Sequence, residues 1–276
     1  SAIPQPYPSF LASGQGCRVW DLDGKEYVDW SCGLAAISLG YCYPKVDEAV
    51  TDQVRRGASF SLPTTLEVEV AEALTEIIPC AEMVRFVKTG SESTEGAMRI
   101  ARLATGRART ISIGYHGWHT IHDAAMPTTG PNSIEDAVYG CQTNGVPHVF
   151  SDINLGVKWG EFLPLDAVYT DMAAILVEPC RDDPPPPGYL QQLRDICDHN
   201  GIVLIFDEVV TGFRWALGGA QEFFGVTPDL AVFGKGMANG YPLAAIVGRR
   251  NLMQHATYVS GTFGGEAVSL AAAKAT

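Results

Sequence analysis

The stretch Ile202–Gly240, IVLIFDEVVTGFRWALGGAQEFFGVTPDLAVFGKGMANG, decides the fold. Ile202, Val203, Leu204, Ile205 and Phe206 form an unbroken apolar run. A run without polar alternation suits a parallel strand covered on both faces. Asp207 and Glu208 follow it directly. After a helix-rich crossover, a second short strand at Leu230–Phe233 ends at Gly234, Lys235 and Gly236. Ligands of open α/β sheets sit outside the carboxyl ends of the strands. Asp207 and Lys235 are therefore expected on one edge of one sheet, an acid and a flexible amine side by side.

Reading outward, the same alternation continues upstream. MVRFVK (83–88) is a strand, TGSES (89–93) a tight polar loop, and Glu95–Ala104 a helix. RTISI (109–113) and HVF (148–150) read as strands, and AAILVEP (173–179) as a buried one. Pro127–Gly145 is Gly/Pro-rich and polar, a long loop, and DDPPPP (182–187) is an extended surface linker. Tyr189–Asn200 is a helix with Leu190, Leu193, Ile196 and Cys197 inward and Gly201 as its cap. Near the amino end, residues 1–16 read as a surface arm and CRVWDLDGKEYVDW (17–30) as a hairpin turning at Asp23-Gly24. Helices follow at Pro44–Arg56 and Leu66–Ile78, the second stopped by Pro79. The strand–helix alternation predicts an α/β fold with a mostly parallel central sheet and helices on both faces. The expected division is an arm-and-hairpin segment over 1–45 and a large ligand-binding domain over 46–276. The last residues, AVSLAAAKAT, read as a helix with no stop signal, so the domain is expected to be incomplete at its carboxyl end.

Composition bounds the function. The chain has 276 residues, 46% hydrophobic and 18% charged, and is globular rather than disordered. A formal net charge of −12 argues against nucleic acid as a partner. No apolar run approaches the ~18 residues of a membrane span. Seven cysteines without CxxC spacing suggest reduced thiols and a cytoplasmic location. His116, His119 and His122 are spaced by three but lack the HExxH arrangement. They read as loop or core histidines, and no metal site is expected.

The TGSES stretch between a strand and a helix can receive an anion. Gly90 lets the backbone approach, the helix start supplies free N–H groups, and Ser91 adds a hydroxyl. Alone, such a stretch is more often a plain helix cap. Together with Asp207 and Lys235 it satisfies the needs of pyridoxal 5′-phosphate: a phosphate cradle, an acid for the pyridine nitrogen, and an amine for a Schiff base.

VKTGSESTEGAMRIARLATGR, GYHGWH, VEP, LIFDEVVTGFR, FGKGMANGYPLAAIVGRR and SGTFGG, in that order, resemble class III pyridoxal phosphate-dependent aminotransferases. The likeness runs from about Trp20 to the last residue and is greatest to the glutamate-1-semialdehyde 2,1-aminomutase branch. It implies a fold-type I transferase and a homodimer. It also implies that Lys235 is the Schiff-base and proton-moving lysine and that Asp207 partners the ring nitrogen. Gly90 and Ser91 would hold the phosphate. Tyr115 would stack on the ring, with Val209 on the opposite face and Glu178 near the cofactor. Thr262 would reach the phosphate of the neighbouring subunit. Leu34 stands where the aminomutases carry a tryptophan, and Asn239 and Tyr241 replace smaller residues after the lysine. The expected activity is transamination between a small-molecule amino donor and a keto or aldehyde acceptor. Intramolecular amino transfer, as in the aminomutase, is the alternative. An inactive or partner-completed fragment is a third.

Overall fold

The structure is a computed structural model that describes residues 8–123, 146–147, 149–164 and 169–276. Its centre is a seven-stranded sheet. β1 (Leu11–Gln15), β2 (Arg18–Asp21) and β3 (Glu26–Val28) form a separate small sheet. The large sheet takes β4 (Met83–Val87), β5 (Arg109–Ile113), β6 (Asn154–Val157), β7 (Met172–Val177), β8 (Val203–Asp207), β9 (Leu230–Phe233) and β10 (Ala244–Gly248) in the order β4-β10-β9-β8-β7-β5-β6. β10 runs antiparallel to both its neighbours, and the β9-β8-β7-β5-β6 pairs are parallel.

The apolar runs are two-sided, as such a sheet requires. Leu204 and Phe206 of β8 pack with Leu193, Ile196 and Cys197 of the Tyr189–Asn200 helix. Val203 and Ile205 face the other way, into a cluster with Ala97, Met98, Ile100 and Ala101 of the Gly90–Thr105 helix. The period of two along β8 puts Asp207 on the face of that second helix. This is why the acid and the helix start converge.

Several expectations need correction. Val149 and Phe150 lie in a helical turn, Val149–Ile153, and the strand beside β5 begins afterwards at Asn154. The helix after β4 starts at Gly90, so TGSES is its cap and first turn rather than a loop before it. The hairpin around Gly24 carries a third strand, β1, drawn from the presumed arm. The connection between β8 and β9 holds only the short Ala220–Phe224 helix. The expected loop 127–145 lies outside the described residues, as do residues 1–7 and Cys141. Among the described residues no helix is long and apolar enough to cross a membrane, and no cluster of ligating side chains could hold a metal ion.

Candidate active site

β8 and β9 are neighbours with Asp207 in register with Val232, so Asp207 and the loop at Lys235 leave the sheet at the same edge. Asp207 is buried, and its carboxylate is held at two points. Oδ2 lies 2.8 Å from Nδ1 of His116, and Oδ1 accepts the Val209 N–H at 3.1 Å. His116 is 3% exposed. This pair was not legible in the sequence, where His116 read as an ordinary loop or core residue. The available signal was its position beside Tyr115 in the strand-end loop after β5.

Lys235 opens a single 3₁₀ turn, Lys235–Ala238, with φ +42. A non-glycine residue there is strained, and such strain persists only where the surroundings impose it. The next residues are pinned from outside. Asn239 Oδ1 accepts the N–H groups of Ser38 (3.0 Å) and Leu39 (2.8 Å), its Nδ2 donates to Gly40 O, and Ser38 Oγ donates to Gly236 O. Asn239, which from sequence replaces a smaller residue after the lysine, is a buried tie between the lysine loop and residues 38–40.

The Gly90–Thr105 helix begins with a complete capping box. Thr89 Oγ1 accepts from Glu92 N–H, and Glu92 Oε2 accepts from the N–H groups of Thr89 and Lys88. The N–H groups of Gly90 and Ser91 have no acceptor within the helix, which suits them to an anion. A methyl group on Gly90 would lie 3.0 Å from Cγ1 of Val209, and one on Gly117 would collide with Oγ of Ser91. Thr94 Oγ1 donates to His116 O at 2.8 Å, locking the strand-end loop to the helix. A methyl group on Gly234 would lie 3.6 Å from the same Val209 atom. Val209 is thus in reach of the helix start, the acid and the lysine loop together.

Glu178 and Tyr115 stand at the rim. The Tyr115 N–H donates to Glu178 Oε2 at 2.8 Å, and Arg181 Nε lies 3.1 Å from the same oxygen. Burial pushes the Glu178 carboxyl up; the Tyr115 N–H opposes this and the charge of Asp207 adds to it. The Tyr115 ring is half exposed. Thr262 lies apart, in an open groove of about 330 Å³ with Lys88, Glu95, Arg99 and Tyr258. Glu208, next to Asp207, turns to the opposite side and accepts from Thr211 Oγ1, Ala220 N–H and Gln221 N–H. It caps the short Ala220–Phe224 helix.

A mostly parallel sheet, an acid and a lysine at adjacent strand ends, and a glycine-start helix define a fold-type I pyridoxal phosphate transferase. The chain belongs to the class III aminotransferases, whose family model matches residues 3–276. It is 41% identical over 288 residues to a glutamate-1-semialdehyde 2,1-aminomutase of Methanothermobacter thermautotrophicus, covering 98% of this chain and 66% of that relative. It is 39% identical over 273 residues to a 3-aminobutyryl-CoA aminotransferase of Cloacimonas acidaminovorans, covering 95% of this chain and 62% of that protein. The chain thus spans slightly less than two thirds of these relatives. Among solved structures, a transaminase with pyridoxal phosphate bound superposes with a TM-score of 0.86 at 30% identity, over 99% of this chain and 67% of the other. Pyridoxal 5′-phosphate is the cofactor of this family. The residues here fit it: uncapped N–H groups at a helix start, glycines where a side chain would obstruct, and a buried carboxylate held by donors.

Proposed function

We propose that this chain carries the catalytic half-site of a pyridoxal phosphate-dependent aminotransferase acting between a small amino donor and a keto or aldehyde acceptor. The observation that carries the reading is the shared edge: Asp207 and the strained Lys235 turn leave adjacent parallel strands against one helix start. When bound, the cofactor supplies an aldehyde that captures amines and a ring that accepts electrons. Gly90 and Ser91 hold its phosphate through N–H groups and a hydroxyl. Asp207 presents a fixed negative charge to the ring nitrogen, supported by His116 and the Val209 N–H. Val209 packs one face of the ring, and Tyr115, anchored by Glu178, closes the other. Lys235 takes the proton from the donor's amine-bearing carbon and returns it to the acceptor carbon. Thr262 and its groove serve the cofactor of a second copy in a homodimer.

Borohydride reduction tests the lysine. The cofactor-loaded protein is expected to be yellow and to retain cofactor covalently after reduction, and Lys235→Ala is expected to lose that adduct. Covalent trapping at a different residue in the variant would refute the assignment. The aminomutase reading is supported by the 41% identity to that enzyme. Its discriminator is turnover of glutamate-1-semialdehyde without a second substrate. Strict dependence on a separate acceptor favours transamination.

A further inference from the structure

Behind Asp207 a row of polar groups runs through the protein. Nδ1 of His116 is bound to Asp207, but its Nε2 is buried with no hydrogen-bond partner among the described residues. The ring of His122 meets His116 edge-on, with centroids 6.1 Å apart, and both His122 nitrogens are likewise buried and have no hydrogen-bond partner among the described residues. Oε2 of Glu95, also without a hydrogen-bonding partner among the described residues, lies 3.9 Å from His122 Nε2, too far for a direct bond. His122 is 3% exposed. Glu95 itself lines the groove that holds Arg99, Tyr258 and Thr262. Leaving one buried polar atom unbonded costs about 1–3 kcal/mol, so native interiors bridge such groups with internal water. His116 and His122 thus lie in series between the carboxylates of Asp207 and Glu95.

The charged and titratable groups that act on His122 are Glu95 and Arg102 on the Gly90–Thr105 helix and His116 and His119 in the segment before His122 itself. The neutral Asn154 donates from Nδ2 to Ile121 O, the residue before His122, and to Ser112 Oγ. Burial, reinforced by His116, His119 and Arg102, holds His122 down at about 3, so it is a neutral ring. A neutral ring offers one donor and one acceptor.

We propose that His122 and Glu95, bridged by ordered water, are positioning residues that fix His116 in the tautomer whose Nδ1–H donates to Asp207. The bonding has one consistent direction. His122 Nε2–H donates to a water that donates on to the Glu95 carboxylate, and His122 Nδ1 accepts. A water donates one hydrogen to His122 Nδ1 and the other to His116 Nε2. His116 is left with its proton on Nδ1, aimed at the side chain of Asp207. The inference rests on the reading of Asp207 as the partner of the ring nitrogen, because that role needs a carboxylate.

Nitrogen NMR of histidine-labelled protein reads the tautomers directly, with or without cofactor. The expected spectrum has His116 as the Nδ1–H tautomer and His122 as the Nε2–H tautomer. His122→Phe keeps the ring shape and removes both nitrogens. It is expected to leave His116 in a mixed tautomer state and to lower kcat on the order of tenfold with little change in KM. Glu95→Leu, nearer the groove, is a second variant expected to mix the tautomers of His122. Retention of the Nδ1–H tautomer by His116 in His122→Phe overturns the proposal, as does an unchanged His122 spectrum in Glu95→Leu. A wild-type protein that shows both tautomers but binds no cofactor refutes the aminotransferase reading and leaves the relay standing.

Discussion

Asp207 and Glu208 are adjacent carboxylates with opposite environments, and their difference shows how position selects chemistry. Asp207 faces the helix-start side, with His116 Nδ1 2.8 Å from one oxygen and the Val209 N–H donating to the other. Glu208 is fully buried among Thr211, Ala220 and Gln221, and burial pushes its carboxyl up even against those hydrogen bonds. Glu208→Gln would turn an acceptor into a donor facing N–H groups. It is expected to lower unfolding stability by about 1–3 kcal/mol, read by urea denaturation, without loss of covalently trapped cofactor in the folded fraction. His122 makes a pH-dependent contribution. Its folded value is depressed to about 3 from 6.5. Between those values the unfolded chain takes up a proton that the folded chain excludes, so stability falls as pH drops through the window. The slope is up to about 1.4 kcal/mol per pH unit. Denaturation midpoints between pH 6.5 and about pH 5 should decline less steeply in His122→Phe. An equal slope in both proteins would place the titrating group elsewhere.

At the scale of elements, the Gly90–Thr105 helix joins fold and site. Its capping box consumes the N–H of Glu92 and the side chain of Thr89, leaving Gly90 and Ser91 for a ligand. The loop after β5 lies over that start because Gly117 has no side chain. At Gly117 φ is +97, and an added methyl would strike Ser91. Gly117→Ala is expected to weaken cofactor binding roughly tenfold or more and to cost about 1–3 kcal/mol of stability. Equilibrium titration of the visible cofactor band measures the first and thermal unfolding the second. Wild-type affinity in this variant would show that the loop can move without disturbing the cradle. The strand ends and the helix were legible in the sequence because runs of apolar residues and their polar terminators carry that information locally. Asp207, Lys235, Gly90 and Ser91 could be marked from such runs. His116 could not be paired with Asp207, because they are separated by 91 positions and meet only when β5, β7 and β8 stack in order. Val149 and Phe150 failed as a strand for the converse reason: so short a run carries too little periodicity to separate a helical turn from a strand.

At the scale of the whole molecule, the amino-terminal segment and the large sheet are coupled through the lysine loop. Residues 38–40 reach Asn239 by three hydrogen bonds, Ser38 Oγ reaches Gly236 O, and Arg214 Nη2 donates to Ala35 O at 2.5 Å. These ties span about 180 to 200 sequence positions, so composition and spacing gave no sign of them. The segment therefore sets the shape of the turn that presents Lys235, whose φ of +42 needs an external constraint. Asn239 is itself in the left-handed region, at φ +45, a conformation asparagine tolerates better than alanine does. Asn239→Ala would remove two acceptor bonds and one donor bond, leaving the Ser38 and Leu39 N–H groups and Gly40 O without that partner. The expected cost is about 2–4 kcal/mol. If the segment only decorates the surface, hydrogen exchange should rise at 38–40 and nowhere else. If it holds the turn, exchange should rise at both 38–40 and 236–241, and borohydride should trap less cofactor on Lys235 at equal loading. Asn239→Gly separates strain from bonding, since it removes the same bonds and relieves the left-handed penalty. Equal loss of trapping in both variants would assign the effect to the bonds. Full retention in both would show that Lys235 keeps its turn without the amino-terminal segment.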